Sequence, residues 1–217
     1  MELALYRKYR PKTFSEIVGQ EHVVKSLQGG LELGKTGHAY LFVGPRGTGK
    51  TTMARLLAKA LNCEKRKGGE PCNICFVCQE FNEGRNLDLT EIDAASNRGI
   101  DEIRNLRESV RFGPTHSKYK VYIIDETHQL TDAAFNALLK TLEEPPEYAI
   151  FILASTEPQK IPETVSSRTQ QFNFRNLNQN QILEKLAKIA KAEKIDIDVE
   201  ALRIVALSGH GSLRDAE

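Results

Sequence analysis

Neither sign of charge predominates in this sequence: 30 Lys and Arg residues stand against 29 Asp and Glu, a formal net charge of +1. That balance excludes a globally basic surface, so any contact with a nucleic-acid backbone has to come from a local stripe. No apolar run approaches the ~20 residues that a membrane span requires. The opening Met1-Glu2-Leu3-Ala4-Leu5-Tyr6-Arg7 also lacks the apolar core of a signal peptide. No membrane partner and a cytoplasmic location are therefore expected. Internal repeats and low-complexity tracts are missing too. Cysteine is scarce, with four residues in all, but Cys63, Cys72, Cys75 and Cys78 lie close together. In a chain without an export signal, such clustering favours a metal over disulfides.

What is present is ordinary for a globular protein: 40% hydrophobic and 27% charged residues in a chain of 217. This length suits one large domain with a small one, and can bury roughly 70% of the unfolded surface. Strand-like runs occur at 38–43, 87–92, 121–124, 149–154 and 170–174. Most are continuously apolar, as expected of strands covered on both faces. Between them, Met53, Leu56, Leu57, Ala60 and Leu61 follow helical spacing, as do Phe135, Leu138, Leu139 and Leu142. Thr131 is a fitting N-cap for the second helix and Pro145-Pro146 a stop. Alternating strands and helices predict a doubly wound parallel α/β domain over residues 1–175. From 176 to 217 only helical patterns remain: Ile182, Leu183, Leu186, Ile189 and Ala190, then Ala201, Leu202, Val205 and Ala206, ended by Gly209. Ser212-Leu213-Arg214-Asp215 reads as a capping box opening a further helix. That helix has barely begun at Glu217, so the expectation is a small all-α domain cut short, in a piece of a longer chain.

Gly44-Pro45-Arg46-Gly47-Thr48-Gly49-Lys50-Thr51 matches G-x-x-x-x-G-K-[ST], directly after a strand and directly before a helix. In that context the glycines let backbone N–H groups turn toward phosphates, and the helix N-terminus adds its positive dipole. Lys50 is expected to meet the β- and γ-phosphates, Thr51 to hold Mg²⁺, and Thr52 to complete the cradle. Val121 to Glu126 supplies the matching acidic strand end. Asp125 is placed to face the magnesium, and Glu126 to orient and deprotonate a water, which points to hydrolysis. The plain alternatives are a glycine-rich turn with an incidental lysine and a solvated acidic strand end. His128 is read as packing or surface.

The spacing Cys63-x8-Cys72-x2-Cys75-x2-Cys78 offers four thiolates, the complement of a closed structural zinc site without an open position for water. The intervening Glu64 to Pro71 has no core of its own, and metal ligation supplies cohesion on the order of 10 kcal/mol in small zinc modules. The module is expected at about 63–80. Reduced cysteines acting as small core residues, or an iron–sulfur cluster, are the alternatives.

A four-cysteine insert immediately after the phosphate-loop helix resembles the clamp-loader subunits of bacterial DNA polymerase III, gamma/tau type, within the AAA+ ATPases. The resemblance covers nearly the whole chain. Tyr9-Arg10-Pro11-Lys12-Thr13-Phe14 and Val18-Gly19-Gln20-Glu21-His22 resemble the family's opening segment, which folds over the adenine. Ala137-Leu138-Leu139-Lys140-Thr141-Leu142-Glu143-Glu144-Pro145-Pro146 resembles a clamp-loader signature. The resemblance implies a γ-phosphate sensor at Thr156 and a second sensor at Arg214, reaching from the helical lid. It also implies an arginine at Arg168 that acts in trans on ATP held by a neighbouring subunit, although Thr169 stands where the family has cysteine. Arg104, Arg107 and Arg111 form a basic face opposite Ile100, Ile103, Leu106 and Val110. Together with Arg98, this stretch resembles the one that follows template-strand phosphates in clamp loaders.

The implied protein binds ATP, Mg²⁺ and Zn²⁺ and hydrolyses ATP. Full length, it assembles with other clamp-loader subunits as a hetero-pentamer and loads the sliding clamp onto primer–template DNA; the 217 residues alone are expected to be monomeric. Competing readings are another AAA+ motor such as a branch-migration helicase, a nucleoside phosphate kinase with a zinc-stapled lid, and a non-enzymatic zinc-dependent scaffold. The first leaves the cysteine insert unexplained and the second leaves Asp125-Glu126 unexplained. Intact phosphate-loop and acidic residues weigh against the third.

Overall fold

The computed structural model describes residues 4–217. Met1, Glu2 and Leu3, the start of the opening segment considered above, lie outside the described residues. In chain order the elements are α1 (Leu5–Lys8), α2 (Glu21–Glu32), β1 (Ala39–Val43), α3 (Lys50–Asn62), α4 (Phe76–Glu83), β2 (Leu89–Asp93), α5 (Ile100–Val110) and β3 (Lys120–Asp125). They continue with α6 (Asp132–Glu143), β4 (Ala149–Ser155), α7 (Glu163–Ser166), β5 (Gln170–Asn173), α8 (Gln179–Glu193), α9 (Val199–Ser208) and α10 (Leu213–Ala216). Short 3₁₀ turns occupy Phe14–Glu16, Thr127–Gln129 and Pro158–Lys160.

All five strands run parallel in the order β2-β3-β4-β1-β5. Alternate side chains point to opposite faces, so each face has its own core. Tyr40, Phe42, Ile123, Ile150 and Ile152 pack under α2 and α3 on one side. Leu41, Tyr122, Ile124, Phe151 and Leu153 pack under α5, α6 and α7 on the other. The central strands β1 and β4 are buried throughout. The continuous burial expected from the sequence fails at the sheet edges. In β2 no residue is fully buried, and in β5 only Phe172 is, because an edge strand has a neighbour on one side only. Leu87, expected in a strand, is 67% exposed in the turn ahead of β2.

The expected helix signals act as anticipated at α6, where Thr131 Oγ1 accepts from the Ala134 N–H and Pro145-Pro146 follow the end. After β5 the chain is helical. Asn178 and Gln181 form a reciprocal capping box that opens α8, and α8, α9 and α10 enclose a small separate core of Leu177, Ile182, Leu186, Leu202, Ala206 and Ala216. The box expected at Ser212 is half made: its hydroxyl accepts from the Asp215 N–H, and no reciprocal bond returns. Asp215 is one methylene shorter than the Glu or Gln that closes such a box. No helix among the described residues is long and apolar enough to cross a membrane.

Candidate nucleotide site and cysteine cluster

Because β3, β4 and β1 are adjacent and parallel, their carboxyl ends open onto one edge of the sheet, where α/β folds place their ligands. The loop from β1 to α3 carries the glycine-rich motif. Lys50, only 6% exposed, points its ammonium back into the loop, where it donates to the Gly44 and Pro45 carbonyls, both at 2.8 Å. Burial lowers its pKa, and the carboxylates of Glu126 and Asp125 oppose that shift. Thr48 Oγ1 donates to the Pro45 carbonyl at 2.8 Å, and Gly49 leads into α3 at φ +95°.

Asp125, the last residue of β3, accepts a 2.6 Å hydrogen bond from Thr51 Oγ1 at Oδ2. Its Oδ1 accepts from the Glu126 N–H at 2.9 Å. This hydroxyl–carboxylate pair of hard oxygens suits Mg²⁺, and so the residues present fit the expected ion. Glu126 occupies the left-handed region with φ 47°. Its Oε2 accepts from Thr156 Oγ1 at 3.1 Å and lies 3.5 Å from His128 Nδ1. Thr156 thus meets Glu126 at the end of β4 and does not line the cavity described next. His128, packed as expected, also contacts Ser155 Oγ at 3.2 Å and Glu157 Oε1 at 3.2 Å.

A cavity of ≈ 320 Å³ lies between the phosphate loop and α10. Arg46 through Thr52, Asp125 and Glu126 form its phosphate side, Arg10, Pro11, Ile17 and Val18 come from the entry segment, and Arg214 comes from α10. Gly44 and Pro45 are not among the lining residues; they contribute their carbonyls to Lys50. Arg214 lies over the Tyr6 ring at 4.9 Å, a partner that the sequence did not single out. The small domain touches the loop directly: Leu213 N–H donates to the Gly47 carbonyl at 3.2 Å. Gly47 has φ +73°, and a Cβ there would fall 1.8 Å from Ser212 Oγ, so only glycine fits. Gln20, fully buried, was named only as part of a motif. It donates to the Arg175 carbonyl at 2.7 Å, accepts from the Arg175 N–H at 3.2 Å and reaches the Thr48 carbonyl at 3.4 Å.

Arg168 is not brought to this cavity. It lies at the surface after α7, paired with Glu143 at 2.9 Å and donating to the Thr164 carbonyl. The arginines of the expected basic face are also elsewhere. Arg104 is exposed and paired with Asp101 at 3.0 Å, Arg107 is half-buried and Arg111 exposed. Arg98 donates to the Ala95 carbonyl at 3.0 Å. Ile103, Leu106 and Val110 form the buried stripe of α5.

The four cysteines are free, and their sulfurs lie within 4.8 Å of one another. A tetrahedral Zn–S distance of ~2.3 Å sets sulfurs roughly 3.8 Å apart, and Cys72 and Cys78 are at 3.9 Å. Backbone N–H groups of Cys72 and Cys75 point at the sulfurs of Cys63 and Cys72, at 3.2 and 3.3 Å. Burial pushes the Cys78 and Cys63 thiols up. At Cys72 burial acts the same way but is overcome by N–H groups of Ile74 and Cys75, which bring the thiol down to about 6. Four sulfurs gathered this closely, with Cys75 and Cys78 buried, form a donor set that fits zinc.

Residues 19–178 match the family model described as DNA polymerase III, delta subunit. Residues 181–216 match that of the DNA polymerase III clamp loader subunit, ATPase lid domain. The chain is 54% identical to the DNA polymerase III subunit tau of Bacillus subtilis over 213 residues, 98% of this chain and 38% of that protein. It is 51% identical to the subunit tau of Escherichia coli, again over 98% of this chain and 33% of the relative. The chain therefore spans 33–38% of the length of these relatives. Among solved structures it is similar to the Thermotoga maritima RuvB Holliday junction branch migration motor, with TM-score 0.69 and 21% identity, over 96% of this chain and 62% of that one. At that identity the likeness shows the AAA+ fold alone.

Proposed function

The chain belongs to the clamp-loader subunits of DNA polymerase III, of the gamma/tau kind, and from that premise we propose that it is the ATP-binding and ATP-hydrolysing motor of such a subunit. In this reading the full-length protein joins other clamp-loader subunits in a hetero-pentamer, opens the sliding clamp and loads it onto primer–template DNA. The observation that carries the proposal is the convergence of Lys50, Thr51, Asp125, Glu126 and Arg214 around one cavity between the sheet and the small domain.

The residues divide the work by position. Lys50 leaves its loop carbonyls for the β- and γ-phosphates, toward which the N–H groups of residues 46–52 would turn; the Gly44 N–H stays on the Ser155 carbonyl. Thr51 and Asp125, hydrogen-bonded to each other here, would hold Mg²⁺, which when bound would neutralise charge developing on the phosphates. Glu126 takes the proton from an attacking water, and its carboxylate is oriented by Thr156, the proposed γ-phosphate sensor. Arg214, on the element that touches Gly47, reports occupancy to the lid. Arg168 serves the neighbouring subunit's site, and its position on the outer surface supports this role. Arg98, Arg104 and Arg107 would meet template phosphates, without base selectivity and with strong salt dependence.

The test is ATP hydrolysis by the full-length protein assembled with its partner subunits, with and without clamp and primed DNA. Stimulation by clamp and primed DNA should be lost in Arg168→Ala, by about 10³-fold or more, the usual contribution of an arginine supplied in trans. Turnover indifferent to clamp and primer would refute the clamp-loading reading.

A further inference from the structure

The loop between Cys63 and Cys72 has no apolar core, yet its polar groups grip the motor. Lys67 and Glu70 pair across a tight turn in which Gly68 and Gly69 have φ +55° and +78°, the backbone that a two-residue hairpin demands. Arg66 fixes the base of the loop by donating to the Ala60 and Leu31 carbonyls at 2.9 and 2.8 Å. So placed, the Glu70 carboxylate accepts the backbone N–H groups of Phe14 and Ser15, each at 2.8 Å. Gln28 Nε2 adds a third bond at 3.1 Å.

A second grip comes from the cysteine knuckle itself. Asn73 lies between Cys72 and Cys75 at φ 57°. Its Oδ1 accepts from Lys59 Nζ at 2.6 Å, and its Nδ2 donates to the Lys12 carbonyl at 3.2 Å. Lys59, 3% exposed, donates to the same Lys12 carbonyl at 2.7 Å and to Asn82 Oδ1 at 2.8 Å. Lys12, Phe14 and Ser15 are thus held by their backbones from the cysteine module. Immediately before them Arg10 and Pro11 line the nucleotide cavity, and immediately after them Glu16, Ile17 and Val18 do.

We propose that the four-cysteine module positions the entry segment and so shapes the side of the cavity that takes the nucleoside, with Glu70 and Asn73 as positioning residues. The inference rests on the reading of the cavity as a nucleotide site. The segment from Arg10 to Val18 pairs with no strand, and its three-residue 3₁₀ turn has little cohesion of its own. Phe14 anchors the middle of the segment in the core, with Ile17 packed against it. Without the two grips, the backbone on either side of Phe14 would have to be ordered further by the ligand at the moment of binding, which lowers affinity. The phosphate loop depends on none of these contacts, so recognition of the nucleoside and of the phosphates is separable.

Calorimetric titration of the full-length protein with ATP, ADP and inorganic tripolyphosphate, each with magnesium, tests this separation. Glu70→Ala should weaken ATP and ADP about tenfold, or about 1.4 kcal/mol, and leave tripolyphosphate within about twofold. Cys72→Ser, which opens the knuckle carrying Asn73, should give the same pattern. Glu70→Gln, which keeps the size and one acceptor, should lie between wild type and alanine, and it carries the test if the alanine variant does not fold. Wild-type ATP affinity in a folded Glu70 variant, or an equal loss for tripolyphosphate, would overturn the proposal. Wild-type protein that binds neither ATP nor tripolyphosphate would overturn the nucleotide reading itself.

Discussion

Glu126 holds a left-handed backbone conformation that costs a non-glycine residue about 1–3 kcal/mol, and it does so at the cavity wall with Thr156 on its carboxylate. Strain retained at that spot fits a group held for proton transfer. Glu126→Gln should lower ATP hydrolysis in the assembled protein by about 10²–10⁴ while nucleotide affinity stays near wild type; single-turnover kinetics beside equilibrium binding will separate the two. Asp88 uses a carboxylate for stability instead. It is 1% exposed and accepts the N–H groups of Thr115, His116 and Ser117 at 2.6, 2.9 and 2.8 Å. Burial pushes its pKa up, but the three N–H donors outweigh burial and leave it below the usual carboxylate value. With the folded value depressed, the stabilisation is fully present above the unfolded value of about 3.9 and is lost as pH falls through the folded one. Asp88→Asn should cost about 2–3 kcal/mol near neutral pH, read from urea midpoints, and the gap to wild type should close in acid.

Among the elements, the cysteine module is the least self-supporting. Its buried cluster consists of Cys75, Val77 and Cys78, with Phe81, Cys63 and Cys72 at the margin. Hydrophobic burial on that scale does not offset the ordering of some twenty residues at about 1–2 kcal/mol each. Metal removal should therefore melt residues 63–83 and loosen 10–18, and make all four thiols reactive. The sheet should persist, because the buried cysteine cluster belongs to neither of its two cores and meets the first only through the partly buried Phe81. Thiol titration with amide exchange will check this, and loss of protection reaching β1, β3 and β4 would contradict it.

For the whole molecule, the α/β and helical domains meet where Gly47 touches α10, and Gln20 braces the approach by spanning Thr48 and Arg175, the residue at the domain boundary. Gln20→Ala removes the side-chain partner of the part-buried Arg175 N–H and carbonyl, at about 0.5–1.5 kcal/mol each. The expected result is faster amide exchange over 211–216 and several-fold weaker ATP binding, measured on the same preparation. Unchanged exchange in that stretch would show that the lid angle is set elsewhere.

Local patterns in the sequence determined a good deal of this protein. Continuous apolar runs marked β1, β3 and β4, and glycine spacing after the first marked the phosphate loop. Thr131 marked the start of α6, and the spacing of four cysteines marked a cluster whose sulfurs come together as a donor set that fits a metal. Each signal is readable because residues close in the chain carry it. Sequence pattern did not reveal that Asp88 caps a loop of residues 115–117, that Glu70 holds Phe14 and Ser15, or that Arg214 lies over Tyr6. Those pairs join positions far apart in the chain, and an isolated acid or arginine has no periodicity that names its partner. The half-buried edges β2 and β5 were likewise invisible, since exposure depends on strand order and not on the strand's own residues. The sequence by itself determined which chemistry-bearing residues the chain carries and their local spacing. Only the tertiary structure decided which side chains share a cavity, because parallel packing brings the ends of β1, β3 and β4 to one edge and folds the entry segment and α10 across it.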